Sequence, residues 1–261
     1  MNIIRADMYA IFRGKILYVT LAVLLAFNFL VIATAGAFEI YFSEFEGADL
    51  VPEPSFDLIG VAELLYTQTA NLVFFLLPLI LAVAVPIFTH NTVKNDLAWG
   101  FSRTKLYFSK LLLAIVLCAF LLFFYMATGM LIAAILNGIG GPIPDGYFRN
   151  LFLTLGAQLV MLIAMTCIGV FLVFTTKRTA AVNGIYITFC LVPSLIIMIF
   201  FQAGFDVYRL LEFDVFQGIN YLGFHDQLDQ RALINIMGTG VFYVVATTFF
   251  GILLFKRAEI K

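Results

Sequence analysis

"LLLAIVLCAFLLFFYMATGMLIAAIL", Leu111 to Leu136, runs for 26 residues without a charged side chain. A bilayer core about 30 Å thick is crossed by about 20 apolar residues in an α-helix, so this stretch is long enough to span. A helix that is apolar all round belongs either to the core of a large protein or to a membrane. The rest of the chain decides between them. Its 261 residues are 63% hydrophobic and 12% charged, with 30 phenylalanines, and the mean hydropathy is +1.04. A soluble domain carries about 25% charged residues. The composition therefore indicates an all-α, multi-pass membrane protein.

Five further charge-free runs reach spanning length: roughly Ile16–Phe38, Leu64–Thr89, Leu151–Thr176, Thr179–Phe201 and Ala232–Phe255. With Leu111–Leu136 they predict six transmembrane helices in one domain covering residues 1–261. Pro78 and Pro86 in the second run and Pro193 in the fifth each remove a backbone donor and predict kinks. The first run is long enough to span and shows no small-residue cleavage site behind a short apolar core, so it reads as a retained span. Cys118, Cys167 and Cys190 lie deep in apolar runs with no metal or disulfide spacing and read as small buried hydrophobes.

Charge alternates between the connections. Residues 1–15, 90–110, 177–178 and 256–261 hold twelve Lys/Arg and three acids; residues 39–63, 137–150 and 202–231 hold three Lys/Arg and thirteen acids. Cytoplasmic loops retain Lys and Arg. The bias predicts both termini inside the cell membrane, in agreement with six crossings. Residues 202–231 mix aromatics with charges and read either as helices at or dipping into the outer interface or as a folded outer loop.

Several chemistries lack their residues. Gly14-Lys15 is followed by Ile16 and has no upstream glycine, so no phosphate-binding loop is present. His90 and His225 fall in connections of opposite sign, and no HExxH occurs, which argues against a metal centre. No Ser-His or Asp-Asp pair lies within the runs, which argues against an intramembrane protease. No ionisable residue lies inside the six runs, which weighs against a self-sufficient ion-coupled transporter. The neutral polar residues Asn28, Gln68, Asn71 and Gln158 remain, either as interhelical hydrogen-bond partners or as the lining of a substrate path.

The N-terminal "MNIIRADMYAIFRGK" has helical spacing. Ile4, Met8, Ile11 and Phe12 share one face, Arg5, Tyr9 and Arg13 the other, and Asp7 intrudes on the apolar side. It predicts an interfacial helix along the inner leaflet. Between spans two and three lies "HNTVKNDLAWGFSRTKLYFSK", His90 to Lys110, with the chain's only tryptophan. Asn91 or Thr92 can cap a short helix through Trp99, with Val93 and Leu97 at i, i+4, and Gly100 can end it. Ser102 can cap the next helix, on which Arg103, Tyr107 and Lys110 share a face. Three readings fit the insert: a solvated basic loop, an interfacial anchor through Trp99, or a docking site for a cytoplasmic protein.

These features together resemble the permease subunits of bacterial ABC-2 type exporters, closest in style to those of bacteriocin-immunity and peptide-antibiotic-resistance systems. The resemblance rests on "IIRADMYAIFRGK" as an opening surface helix, on "NTVKNDLAWGFSRTKLYFSKLL" between spans two and three, and on the charged tail "FKRAEIK". The chain departs from the family at Thr89, His90 and Asn91, where many members carry an acidic residue and a glycine. The resemblance implies that the insert is a coupling helix, seated through Val93, Lys94, Asp96, Leu97, Trp99, Gly100, Arg103 and Lys105 in a separate ATP-binding subunit. That partner would bind ATP and Mg, so this chain would need no cofactor and be no enzyme itself. A second permease chain would complete the transporter, which would move an amphipathic or peptide-like compound across or out of the cytoplasmic membrane. The residues alone leave two other functions open: a stand-alone secondary transporter or channel, and a membrane scaffold subunit without a transport path.

Overall fold

A computed structural model describes residues 3–42, 58–89, 93, 98–138, 146–203, 205, 208–223 and 230–257. Among these residues the regular structure is entirely helical. The α-helices are α1 (Ile3–Arg13), α2 (Lys15–Phe42), α3 (Leu58–Gln68), α4 (Leu72–Ala84), α5 (Pro86–Thr89), α6 (Arg103–Leu136), α7 (Tyr147–Thr176), α8 (Thr179–Gln202), α9 (Val215–Gly223) and α10 (Gln230–Arg257). Six helical segments are long and apolar enough to cross a membrane: Lys15–Thr34, Gly60–Thr89, Arg103–Leu136, Tyr147–Thr176, Thr179–Gln202 and Gln230–Arg257. The chain is a multi-pass membrane protein by this measure.

The second span is not one continuous helix. It is interrupted by a 3-10 turn at Thr69–Asn71 and again at Val85, whereas Pro78 lies inside an unbroken α4. The sequence "TQTAN" explains the first interruption. Thr67 and Thr69 hydroxyls donate to the carbonyls of Leu64 and Leu65 (2.8 and 2.9 Å), and Asn71 donates to Gln68 Oε1 at 2.8 Å. Such local side-chain bonds compete with the helical ladder. Pro86 accounts for the second, since it offers no N–H to an i−4 carbonyl.

The third span also begins earlier than its charge-free run. Ser102 caps α6, its Oγ accepting from the Lys105 N–H at 3.3 Å, so Arg103, Lys105 and Lys110 all lie on the helix. The expectation of a span free of ionisable groups is corrected here: Lys110 sits two turns inside α6 and is buried. Its charge is tolerated because Asp7 Oδ2 lies 2.8 Å from its Nζ.

α7 is the hub. It packs most extensively on α10, then on α4, α6 and α9. Gly240 of α10 lets the two helices approach so closely that a Cβ there would sit 2.6 Å from Met161 Sδ. Helices in lipid associate through such small residues, because apolar side chains gain little by leaving one apolar medium for another. α7 and α8 are joined by Lys177-Arg178 alone, with Lys177 at a left-handed φ of 56° and its N–H bonded to Val173 O at 3.0 Å. The segment before α10 is folded as a 3-10 stretch (Tyr208–Phe213) followed by α9. α9 is packed against α7 and α3, burying Val215, Phe216, Ile219 and Leu222. The three cysteines are free and buried.

Candidate functional site

The basic segments that are described meet at one end of the bundle. α1 leans on α2 and α6. Its inward stripe is Ile4, Asp7, Ile11 and Gly14, while Arg5, Tyr9, Phe12 and Arg13 face outward. Asp7, the residue that breaks the apolar face in the sequence, is the one that reaches Lys110. A small gap of about 90 Å³ remains between Met8, Ile11 and Phe12 and the α6 residues Leu113, Val116 and Leu117.

Arg103, one residue into α6, reaches the end of the last span. Its Nη1 donates to the carbonyls of Phe255 (3.2 Å) and Lys256 (2.8 Å). The last carbonyls of a helix have no intrahelical partner and carry partial negative charge, so a guanidinium there satisfies both needs. Beneath it, Tyr107 donates to Thr247 O at 3.5 Å and lies against Gly251, where any Cβ would overlap the phenol. Phe88, Phe174 and Phe255 form an edge-to-face cluster with centroids 4.9–6.4 Å apart, and Tyr107 meets Phe174 edge to face at 4.8 Å. The cluster joins α5, α6, α7 and α10.

The insert itself sits at this end. Gly100 has φ of +82°, a conformation that favours glycine, and it turns the chain into the Ser102 cap. Trp99 precedes it, 83% exposed. Lys105 is exposed, and Val93 is buried at 3%. Lys94, Asp96 and Leu97 lie outside the described residues, as do His90, Asn91 and Thr92. The structure thus places Trp99, Gly100, Arg103 and Lys105 around the start of α6. Of these, Trp99 and Lys105 face outward, while Arg103 is engaged with α10. The Trp99 turn leads into α6, which is paired with α1 through Lys110–Asp7 and bonded to α10 through Arg103.

The four neutral polar residues of the spans divide into two kinds. Asn28 and Gln158 are fully buried. Asn28 Nδ2 donates to Tyr125 O (2.9 Å) and Thr128 Oγ1 (2.8 Å). Gln158 Nε2 donates to Tyr66 O (2.8 Å) and Ile219 O (3.2 Å). Tyr125 in turn donates its hydroxyl to Leu65 O at 3.1 Å. A polar seam therefore crosses the bundle from α2 through α6 and α3 to α7 and α9. It donates to the Leu65 and Tyr66 carbonyls just before the 3-10 turn, and such side-chain partners are how irregular backbone persists at membrane depth. The carbonyl oxygens of both amides have no partner among the described residues. Gln68 and Asn71 are half-buried and bonded to each other at the turn itself.

Sequence reasoning did not find two further groups. Asp7 and Lys110 were visible as an acid on an apolar face and a lysine leading an apolar run, but nothing in their spacing pairs residues about a hundred positions apart. Asp214 caps α9, its Oδ1 accepting from the Phe216 N–H at 3.0 Å, and its Oδ2 accepts from Ser194 Oγ at 2.6 Å. Burial raises the Asp214 carboxyl above its ordinary range, against the lowering effect of those hydrogen bonds. Its only sequence signal is an Asp before a short amphipathic run.

Comparison with known proteins identifies no relative: no family model, no curated protein and no solved structure matches the chain.

Proposed function

We propose that this chain is the membrane subunit of an ATP-driven exporter of the ABC-2 type, receiving its energy from a separate ATP-binding subunit. The observation that carries the reading is the exposed Trp99 beside the Gly100 turn, at the head of α6, which is tied to α1 and α10. An exposed tryptophan has no use in a purely solvated loop, and aromatic anchors flanked by charge are favoured at protein interfaces. Lys105 supplies such charge nearby, and the sequence places Lys94 and Asp96 there too. The Lys/Arg bias puts this end in the cytoplasm, where an ATPase would dock and bind ATP and Mg.

In this reading the insert rides on the partner ATPase. Its movement tilts α6, and the Arg103 and Lys110 ties carry α10 and α1 with it. A second permease chain, identical or different, would face this one and enclose the path for an amphipathic or peptide-like compound. The chain lies in the cell membrane and performs no hydrolysis of its own.

The test is recovery of the partner. The tagged chain, extracted in mild detergent, should bring a nucleotide-binding protein of roughly 25–35 kDa, an ordinary domain size. Trp99→Ala should reduce that recovery while leaving the amount of chain in the membrane unchanged. Extraction with no nucleotide-binding partner, or equal recovery by the variant, rejects the reading.

A further inference from the structure

On the side of the bundle away from the basic end, α8 and the segment containing α9 enclose a groove of about 530 Å³. Its walls are Leu191, Leu195 and Met198 on α8, with Leu211 and Phe216 opposite. Such a volume lies within the range of about 300–1,000 Å³ common for small-molecule sites. The α8 residues named are exposed along the face that a bilayer would cover, so the groove opens sideways.

One wall is polar in a directed way. Ser194 lines the groove, and its hydroxyl hydrogen is committed to Asp214 Oδ2 at 2.6 Å. The oxygen it presents to the groove can then only accept. Behind it lies Asp214, a buried carboxylate with no ion pair among the described residues. A donor seated on Ser194 would lie within about 5 Å of that carboxylate, close enough for an opposite charge to gain appreciably in apolar surroundings. Gln217, the other polar wall residue, already accepts from Asn220 Nδ2 at 3.2 Å.

We propose that this groove binds a single-chain amphiphile with a primary ammonium head: the aliphatic body between α8 and α9, the ammonium donating to Ser194 Oγ and facing Asp214. The site stands independently of the energy-coupling reading, because it uses neither the basic end nor a partner chain.

The experiment places the full chain in phosphatidylcholine nanodiscs and follows thermal unfolding against dodecylamine, dodecanol and dodecyl sulfate. Empty nanodiscs correct for partitioning. Dodecylamine should stabilise saturably, at a half-saturating concentration about tenfold below that of dodecanol, and dodecyl sulfate should not saturate. Ser194→Val should abolish the preference for the amine. Met198→Trp, at an exposed wall position, should weaken amine and alcohol alike and keeps the proposal testable if the first variant does not fold. Equal half-saturation for amine and alcohol overturns the proposal, as does a preference that survives Ser194→Val or indifference to Met198→Trp. A two-chain aminolipid, phosphatidylethanolamine, that competes as strongly as dodecylamine also overturns it in its single-chain form.

Discussion

α7 and α8 follow one another with only Lys177 and Arg178 between them, and their mean hydropathy is nearly equal, 2.5 and 2.3. Yet 61% of the spanning window of α7 is buried inside the protein, against 11% for α8. Hydropathy therefore marks both as able to cross a bilayer but does not tell which is enclosed by protein. The difference lies in what each helix offers to close neighbours. α7 presents the small or polar groups Thr154, Gln158, Thr166, Cys167 and Gly169, and Met161, which Gly218 and Gly240 of the neighbouring helices meet closely. α8 buries a single stripe, Val182, Tyr186 and Cys190, four residues apart. Its other sides carry Ile, Leu and Phe, which suit lipid as well as they suit protein.

The contrast can be broken most directly at the hub. Gly240→Leu forces a side chain into Met161 and should cost about 2–3 kcal/mol, in the range for overpacking a dense core. Ile199→Ala on the exposed side of α8 should stay within about 0.5 kcal/mol. Unfolding of the two variants in one detergent, followed by loss of the monodisperse peak on heating, compares them. Equal losses would mean that α8 is packed as tightly as α7.

The Lys110–Asp7 pair tests whether α1 belongs to the enclosed part or to the periphery. Asp7→Ala alone leaves a buried ammonium and should destabilise by about 3 kcal/mol, as removing one partner of a buried pair does. Asp7→Leu combined with Lys110→Met should recover most of it. If the single variant matches wild type in thermal unfolding, the pair is solvated and α1 rests only on its apolar stripe.

Ser194 ties α8 to the segment beside it by a hydrogen bond to Asp214, a group whose protonation depends on pH. Burial raises the Asp214 carboxyl in the fold. The folded state then holds a proton that the unfolded chain has released, over the interval from the ordinary carboxylate range near 3.8 up to the raised value. In that interval folded stability falls as pH rises. The difference in melting temperature between wild type and Asp214→Asn should therefore shift against wild type as pH increases across it. A constant difference would show that the carboxyl is not perturbed.

Much of this architecture was legible in the sequence, and the rest was hidden for identifiable reasons. Six spans, the N-terminal helix and the Ser102 cap follow from run length, periodicity and cap chemistry, all local properties. The interruption at Thr69–Asn71 carries no comparable local signal: the breakers in that run are Pro78 and Pro86, and α4 continues through Pro78. The carbonyls beside the interruption accept from Tyr125 and Gln158, which are distant in sequence. Asn28 and Gln158 were visible as polar residues in apolar runs, but which backbone atoms they serve depends on helix packing. The same holds for Arg103, whose basic charge was plain and whose partners at Phe255 and Lys256 were not.

The smallest expected effect on stability belongs to the most exposed residue. Trp99 is 83% exposed and makes no packing contribution that its loss would remove, so Trp99→Ala should unfold within about 0.5 kcal/mol of wild type. Its consequence should appear in work done by the complex. If the Trp99 turn is where the partner grips, the variant keeps its fold and its place in the membrane while transport falls at least tenfold per ATP hydrolysed. Arg103→Ala should separate grip from transmission. It leaves Trp99 in place for the partner but releases α6 from the carbonyls of Phe255 and Lys256, so partner recovery persists and transport still falls. A Trp99→Ala variant that transports normally removes the docking role, and an Arg103→Ala variant that transports normally removes the linkage to α10 as its path.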